Sequence, residues 1–155
     1  MAAPPGRRRF VMRLVAIACC SAAGCGFVNA GPSHPPPEVY ESPSDFSGRW
    51  RGEVDGAAGT LQVDRLSKGR YYGNFHAKGG KRYILSMVQE QAAEGEAEPE
   101  LANVCAFTWI DGRGSEGSGW LLINREDTTI TGTFGRGSAT SGMGVWTFVR
   151  EGVGR

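Results

Sequence analysis

Histidine and cysteine are scarce in this chain, at two and four in 155 residues. So few leave no His/Cys cluster at metal-ligand spacing. They also leave Ser86, Ser118, Ser138 and Ser141 to share one histidine, His76, which is too little to build a nucleophile and its base. The apolar run Leu14–Ala23 falls well short of the ~20 residues that cross a bilayer as a helix. Neither sign of charge dominates, with 17 Lys+Arg against 16 Asp+Glu. The clustered basic face of a nucleic-acid binder is therefore not evident. Gly112-x-Gly114 and Gly135-x-Gly137 open no helix, so they read as turn glycines and not as phosphate loops. Glu126-Asp127 sits at a turn, where solvation accounts for it. The sequence therefore offers no catalytic residue, no metal site and no cofactor.

What is present starts with an address. Arg7, Arg8, Arg9 and Arg13 precede the apolar run, and Ala22-Ala23-Gly24-Cys25 follows it. This is the order of a secretory signal: basic segment, short apolar segment, small-residue cleavage site. The cysteine behind small residues resembles the lipobox of bacterial lipoproteins. The resemblance implies that residues 1–24 are removed, that Cys25 carries the lipid, and that the protein is held in the bacterial cell envelope. Gly26 follows the cysteine, and by the same resemblance the outer membrane is favoured over the inner. Val28-Asn29-Ala30 offers an ordinary cleavage site instead, which would release a soluble secreted or periplasmic protein. Arg7 to Val11 also resembles a twin-arginine signal, although a plain basic start explains it as well. Met12 is a second possible start.

Cleavage alters the arithmetic. Residues 1–24 hold four arginines and no acid, so the chain from Cys25 on has 13 bases, 16 acids and a net charge of −3. Cys19 and Cys20 leave with the signal. Once Cys25 is lipidated only Cys105 remains, and no internal disulfide can form. Cys105 lies among Val104, Ala106 and Phe107 and reads as a small buried hydrophobe.

Residues 31–44 contain five of the eight prolines. Such a composition favours extended polyproline geometry, and 25–44 reads as a lipid-anchored, semi-rigid tether. From Asp45 onward Pro99 is the only proline, beside twenty glycines. Residues 45–150 read as one all-β domain, with 151–155 a short tail. Alternation with period two predicts strands over 46–55, 60–66, 70–77, 82–89, 103–110, 117–124, 129–135 and 142–150. Gly56–Gly59, Ser67–Gly69 and Gly79–Gly80 read as turns. Glu90–Glu100, with five glutamates, reads as a solvated loop and lacks the Asp/Asn/Gly interleaving of a calcium loop. Short connections make successive strands antiparallel neighbours, and eight of them close into an up-and-down β-barrel; a sandwich is the alternative.

Gly48-Arg49-Trp50 on the first strand resembles the Gly-x-Trp of the calycin barrels, the lipocalins and avidins among them. The resemblance implies that Trp50 closes one end of the barrel and that a basic residue ending the last strand, Arg150, packs across it. Such a cation–π contact is worth ~0.5–2 kcal/mol. Trp146 and Phe148, in phase with Arg150, join the closure. The lipocalin C-terminal helix and disulfide have no counterpart, and the biotin-contacting residues of avidins do not map.

Tyr71, Phe75, Tyr83, Met87, Trp120 and Phe134 are expected inside. They either fill the barrel or, with Gly52, Gly73 and Gly132 leaving room, line a cavity for a small apolar ligand. Tyr71, Tyr83, Met87, Trp120 and Phe134 are the candidate ligand contacts. Ile84, Val88, Val104, Ala106, Leu121 and Ile123 fall on the opposite face of strands four to six. They suggest an outer patch for a protein partner or a homo-oligomer. Function therefore divides between a carrier of a small apolar ligand and an interaction or inhibitor module with a filled barrel.

Overall fold

The structure is a computed structural model and describes residues 34–92 and 98–152. Residues 1–24, read above as a signal, Cys25, the start of the expected tether up to residue 33 and the end of the tail lie outside the described residues. The described chain forms β1 (Gly48–Val54), β2 (Ala57–Ser67), β3 (Arg70–Ala77), β4 (Arg82–Ala92), β5 (Glu100–Asp111), β6 (Glu116–Ile123), β7 (Thr129–Arg136) and β8 (Gly144–Arg150). They form one closed barrel in sequence order, antiparallel throughout, with β8 paired back onto β1. Closure leaves no free sheet edge.

Each short turn has a local cause. Asp55 and Gly56 both have positive φ, 48° and 74°. This is the geometry of a type I′ turn, whose twist matches the flanking strands. The first hairpin therefore turns at Asp55–Gly56, and Ala57–Gly59, expected in the turn, begin β2. β4 and β5 run further into the acidic segment than alternation predicts, to Ala92 and from Glu100, with the register shifting between Gln89 and Gln91.

Side chains alternate in and out along each strand. The interior holds Val54, Leu61, Val63, Leu85, Leu121, Ile123 and Ile130 around a set of stacked and edge-on aromatic rings. Trp146 lies within 6 Å of the ring centres of Phe75, Tyr83, Phe107, Phe134 and Phe148. It thus stands in the central cluster, level with Val54 and Gly132 in register, and not beside Arg150 at the end.

We call the end of the barrel where β1 starts and β8 stops the base. There the Arg150 guanidinium lies 4.1 Å from the centre of the Trp50 ring, and the two residues are cross-strand partners. Arg150 also donates to the backbone carbonyls of Ser47, Asp45 and Asp127. Gly48, at φ 124°, makes this possible, since a Cβ there would sit 2.7 Å from Nη1 of Arg150. The Gly-x-Trp spacing thus has a physical reason in this chain: glycine leaves room for the cation that covers the tryptophan.

The proline-rich segment departs from expectation. From His34 on it is not a free spacer but a strap docked on the base. The Asn103 N–H donates to the Glu38 carbonyl, the Glu38 N–H donates to Asn103 Oδ1, and Asn103 Nδ2 donates to the Tyr40 hydroxyl. Ser44 is buried, and Phe46 enters the core edge-on to Tyr71. Trp50 Nε1 donates to the Phe46 carbonyl at 3.0 Å. Composition does not show that buried asparagine and glutamine side chains hold this backbone in place.

Candidate functional site

The barrel interior is the first place to look for a ligand, and its geometry shows how the space is used. Tyr71, Tyr83, Met87 and Phe134 all point inward and are buried. Tyr71 donates from its hydroxyl to Gln89 Oε1 at 2.8 Å, and Gln89 Nε2 donates to the carbonyls of Ser44 and Ala102. Burial raises the pKa of the Tyr71 hydroxyl, and the Asp45 carboxylate adds to the rise. The hydroxyl is therefore committed, as a neutral donor, to the knot that holds the strap. Tyr83 is enclosed by the rings of Phe75, Trp109, Phe134 and Trp146. The alternation rule did not find Gln89 and Asn103, because the register shift near Gln89 and the strap contacts are tertiary features.

Trp120 is the correction. It pairs with Ala106 and Thr133 on the outward phase of β6, so it lines no interior space. Leu121 and Ile123, expected outside, are in the core. The cause is visible at the inward glycines of the same strand. A Cβ on Gly117 would lie 2.6 Å from Nε1 of Trp109, and one on Gly119 would overlap the Phe107 ring. Rings from β5 occupy these two slots, leaving no place for a ring from β6.

The other interior glycines behave alike. A Cβ on Gly73 would come within 3.0 Å of Leu85, and one on Gly52 or Gly132 would overlap the backbone of the neighbouring strand. These glycines permit close strand approach at bends and do not hold open a cavity. At the end opposite the base, Met143 packs on the core and Trp109 Nε1 donates to the Gly135 carbonyl at 3.0 Å. Both ends are thus occupied by side chains.

Cys105 is fully buried, and burial, with Glu90 adding, pushes its thiol far above the ordinary range. A thiol held neutral is a poor nucleophile. Cys105 should therefore stay unlabelled by a thiol reagent in the native protein and react fully in denaturant. Fast native labelling, measured on a chain with Cys19, Cys20 and Cys25 all replaced by alanine, would show that β5 opens locally. Among the described residues, no hydrogen bond joins His76 to a serine, and no three His, Cys, Asp or Glu side chains come together as a metal would require.

The outer wall is the second place to look. Register sets Ile84 beside Ile110 in one row, Ser86, Thr108 and Ser118 in the next, and Val88, Ala106 and Trp120 in a third. Leu122 follows, while its partner Val104, expected in the exposed patch, is fully buried and offers no surface. No mid-strand position of this face on β4–β6 carries a charge. Val88 is 46% exposed and Ile110 43%. A groove of about 440 Å³ runs over the hydroxyl row, bounded by Tyr72, Ile84, Ile110 and Glu116. On β1 and β2 the outward positions include Arg49, Arg51, Glu53, Gln62 and Asp64 instead. The wall is thus charged over β1–β2 and uncharged over β4–β6, and the outward Thr131, Thr133, Val145, Thr147 and Val149 of β7 and β8 continue the uncharged side.

No protein-family model matches the chain, no curated protein matches it, and no solved structure matches it.

Proposed function

We propose that this is an exported, lipid-anchored barrel that acts as a protein–protein interaction module, without catalysis, through the uncharged outer face of β4–β6. The observation that carries the reading is the filled interior: where the sequence left room for a ligand, at Gly52, Gly73 and Gly132, neighbouring backbone and Leu85 take the space. A barrel with no interior to offer must act through its surface. Uncharged rows with exposed Val88 and Ile110 form the kind of apolar surface that partners cover. Export and the Cys25 anchor rest on the lipobox resemblance, and the likeness to calycin barrels on Gly48, Trp50 and Arg150.

Two measurements test this. A fluorescent fatty-acid analogue should show no saturable binding and no quenching of the core tryptophans. Saturable one-to-one binding would restore the carrier reading. In intact cells, a photo-crosslinking residue at Thr108 should give a discrete protein adduct, and one at Gln62 on the charged wall should not. Equal adducts at both positions would remove the assignment to β4–β6.

A further inference from the structure

The two ends of the barrel differ in how their cations are used. At the base almost every cation has a structural partner. Arg49 and Arg51 pair with Glu151 at 2.9 and 3.0 Å, and Arg65 pairs with Asp45 at 2.8 Å. Arg125 lies over the Tyr40 ring, and Arg150 covers Trp50. Lys68 shares a hollow with Glu41, Glu98 and Glu100.

The opposite end carries Lys78, Lys81 and Arg82 on the β3–β4 hairpin, Arg113 on β5–β6, and Arg136 at the close of β7. All five are exposed, and none forms a salt bridge among the described residues. Lys81 lies over the Tyr83 ring at 5.6 Å, and Arg82 reaches Asn74 at a long 3.4 Å. Register joins them into one arc, because Tyr83 pairs with Asp111 and Gly117 with Arg136, which sets the three hairpin ends side by side. Such a cluster is invisible in a sequence whose bases are spread evenly along the chain.

The turn backbones are bare: a Cβ at Gly79, Gly80, Gly112, Gly114 or Gly137 would meet nothing within 4 Å. A hollow of about 350 Å³ opens between Lys81, Arg82 and Arg113 over Gly79, Gly80 and Gly112, with Asp111 also in its lining. Four carboxylates share the end: Glu53, Asp55, Asp111 and Glu116. Asp111 accepts from the backbone N–H groups of Arg113 and Ser115 and folds into its own turn.

We propose that this end of the barrel is a docking surface for an acidic segment of a partner protein. Exposed cations without a salt bridge, gathered in one arc, attract negative charge and speed its encounter. The interleaved carboxylates disfavour a uniformly charged phosphate polymer. A polypeptide can place its own acids opposite the cations and avoid the carboxylates. Bare turn backbone also lets a partner's main chain approach closely. The surface adjoins the β4–β6 groove at Glu116, but the two are probed by different residues and either assignment can fail without the other. It also lies at the far end from where the described chain begins, since His34 sits beside Glu90 near the base.

Fluorescence anisotropy on the full chain decides the matter, with a labelled Glu/Ser peptide as the probe and polyphosphate of equal charge as the rival. The peptide should bind saturably, and more weakly as salt rises from ~50 to ~200 mM. Lys81→Gln/Arg113→Gln/Arg136→Gln should weaken it by ~tenfold or more while melting with the parent, because these side chains make no salt bridge. Arg136→Glu alone is the second variant if the triple one melts early. Lys68→Gln/Arg70→Gln at the base should leave binding unchanged. No binding, equal loss in the base variant, or tighter binding of polyphosphate than of the peptide would each overturn the proposal.

Discussion

Trp50→Ala is expected to destabilise the barrel by ~3–5 kcal/mol, the usual cost of removing a large buried aromatic. Three things are lost together: the fully buried ring, the hydrogen bond from Nε1 to the Phe46 carbonyl, and the surface under the Arg150 guanidinium. Arg150→Met should cost less through the ring, but it also abandons the carbonyls of Ser47, Asp45 and Asp127. The two changes should be strongly non-additive, as expected of residues in contact. Urea melts of the four proteins of the double-mutant cycle measure this coupling. Strict additivity would mean that the stacked geometry contributes nothing to stability.

Gly52→Val should be at least as damaging, at ~3 kcal/mol or more, and by the opposite mechanism. The site has no spare volume. A Cβ there would overlap the Thr147 carbonyl and stand 2.7 Å from the Phe148 Cα, both backbone atoms of β8. Backbone cannot rotate aside as a flexible side chain can, so the β1–β8 seam itself must separate. Gly79→Ala is the matched control, because nothing lies within 4 Å of the added carbon. Its effect should stay within ±0.5 kcal/mol, as for ordinary surface changes. Near-ultraviolet circular dichroism through thermal unfolding separates the two variants. A Gly52→Val protein melting with the parent would show that the wall can widen and that the interior is softer than its packing implies.

The fold was legible because β1 to β4 alternate cleanly: Trp50 and Val54, Leu61 and Val63, Tyr71 and Phe75, and Tyr83, Leu85 and Met87 all fall inside as period two requires. β6 was misread because it is apolar on both faces and glycine on the inner one. A reader of sequence places the largest residue inside, yet Phe107 and Trp109 had already filled the space over Gly119 and Gly117. That information is held on another strand and emerges only with register. The strap was misread for a related cause. Proline content reports local stiffness, but docking depends on Gln89 and Asn103, far away in sequence. Of the candidate ligand contacts, the four on β3, β4 and β7 were placed inside correctly as side chains. Whether they met a ligand or one another depended on volume, which no pattern of alternation records.

The seam between β1 and β8 also has a consequence in time. Seven of the eight strand pairings join chain neighbours across a turn or a single loop, whereas Trp50 and Arg150 meet across the whole domain. Contacts at such separation carry a large loop-closure cost and form late. Interactions absent from the folding transition state set how long a native molecule lasts, not how fast it forms. The cation over the tryptophan, with its three carbonyl acceptors, thus acts as a latch: weakening it should shorten the lifetime of the closed barrel while leaving the rate of its assembly nearly unchanged.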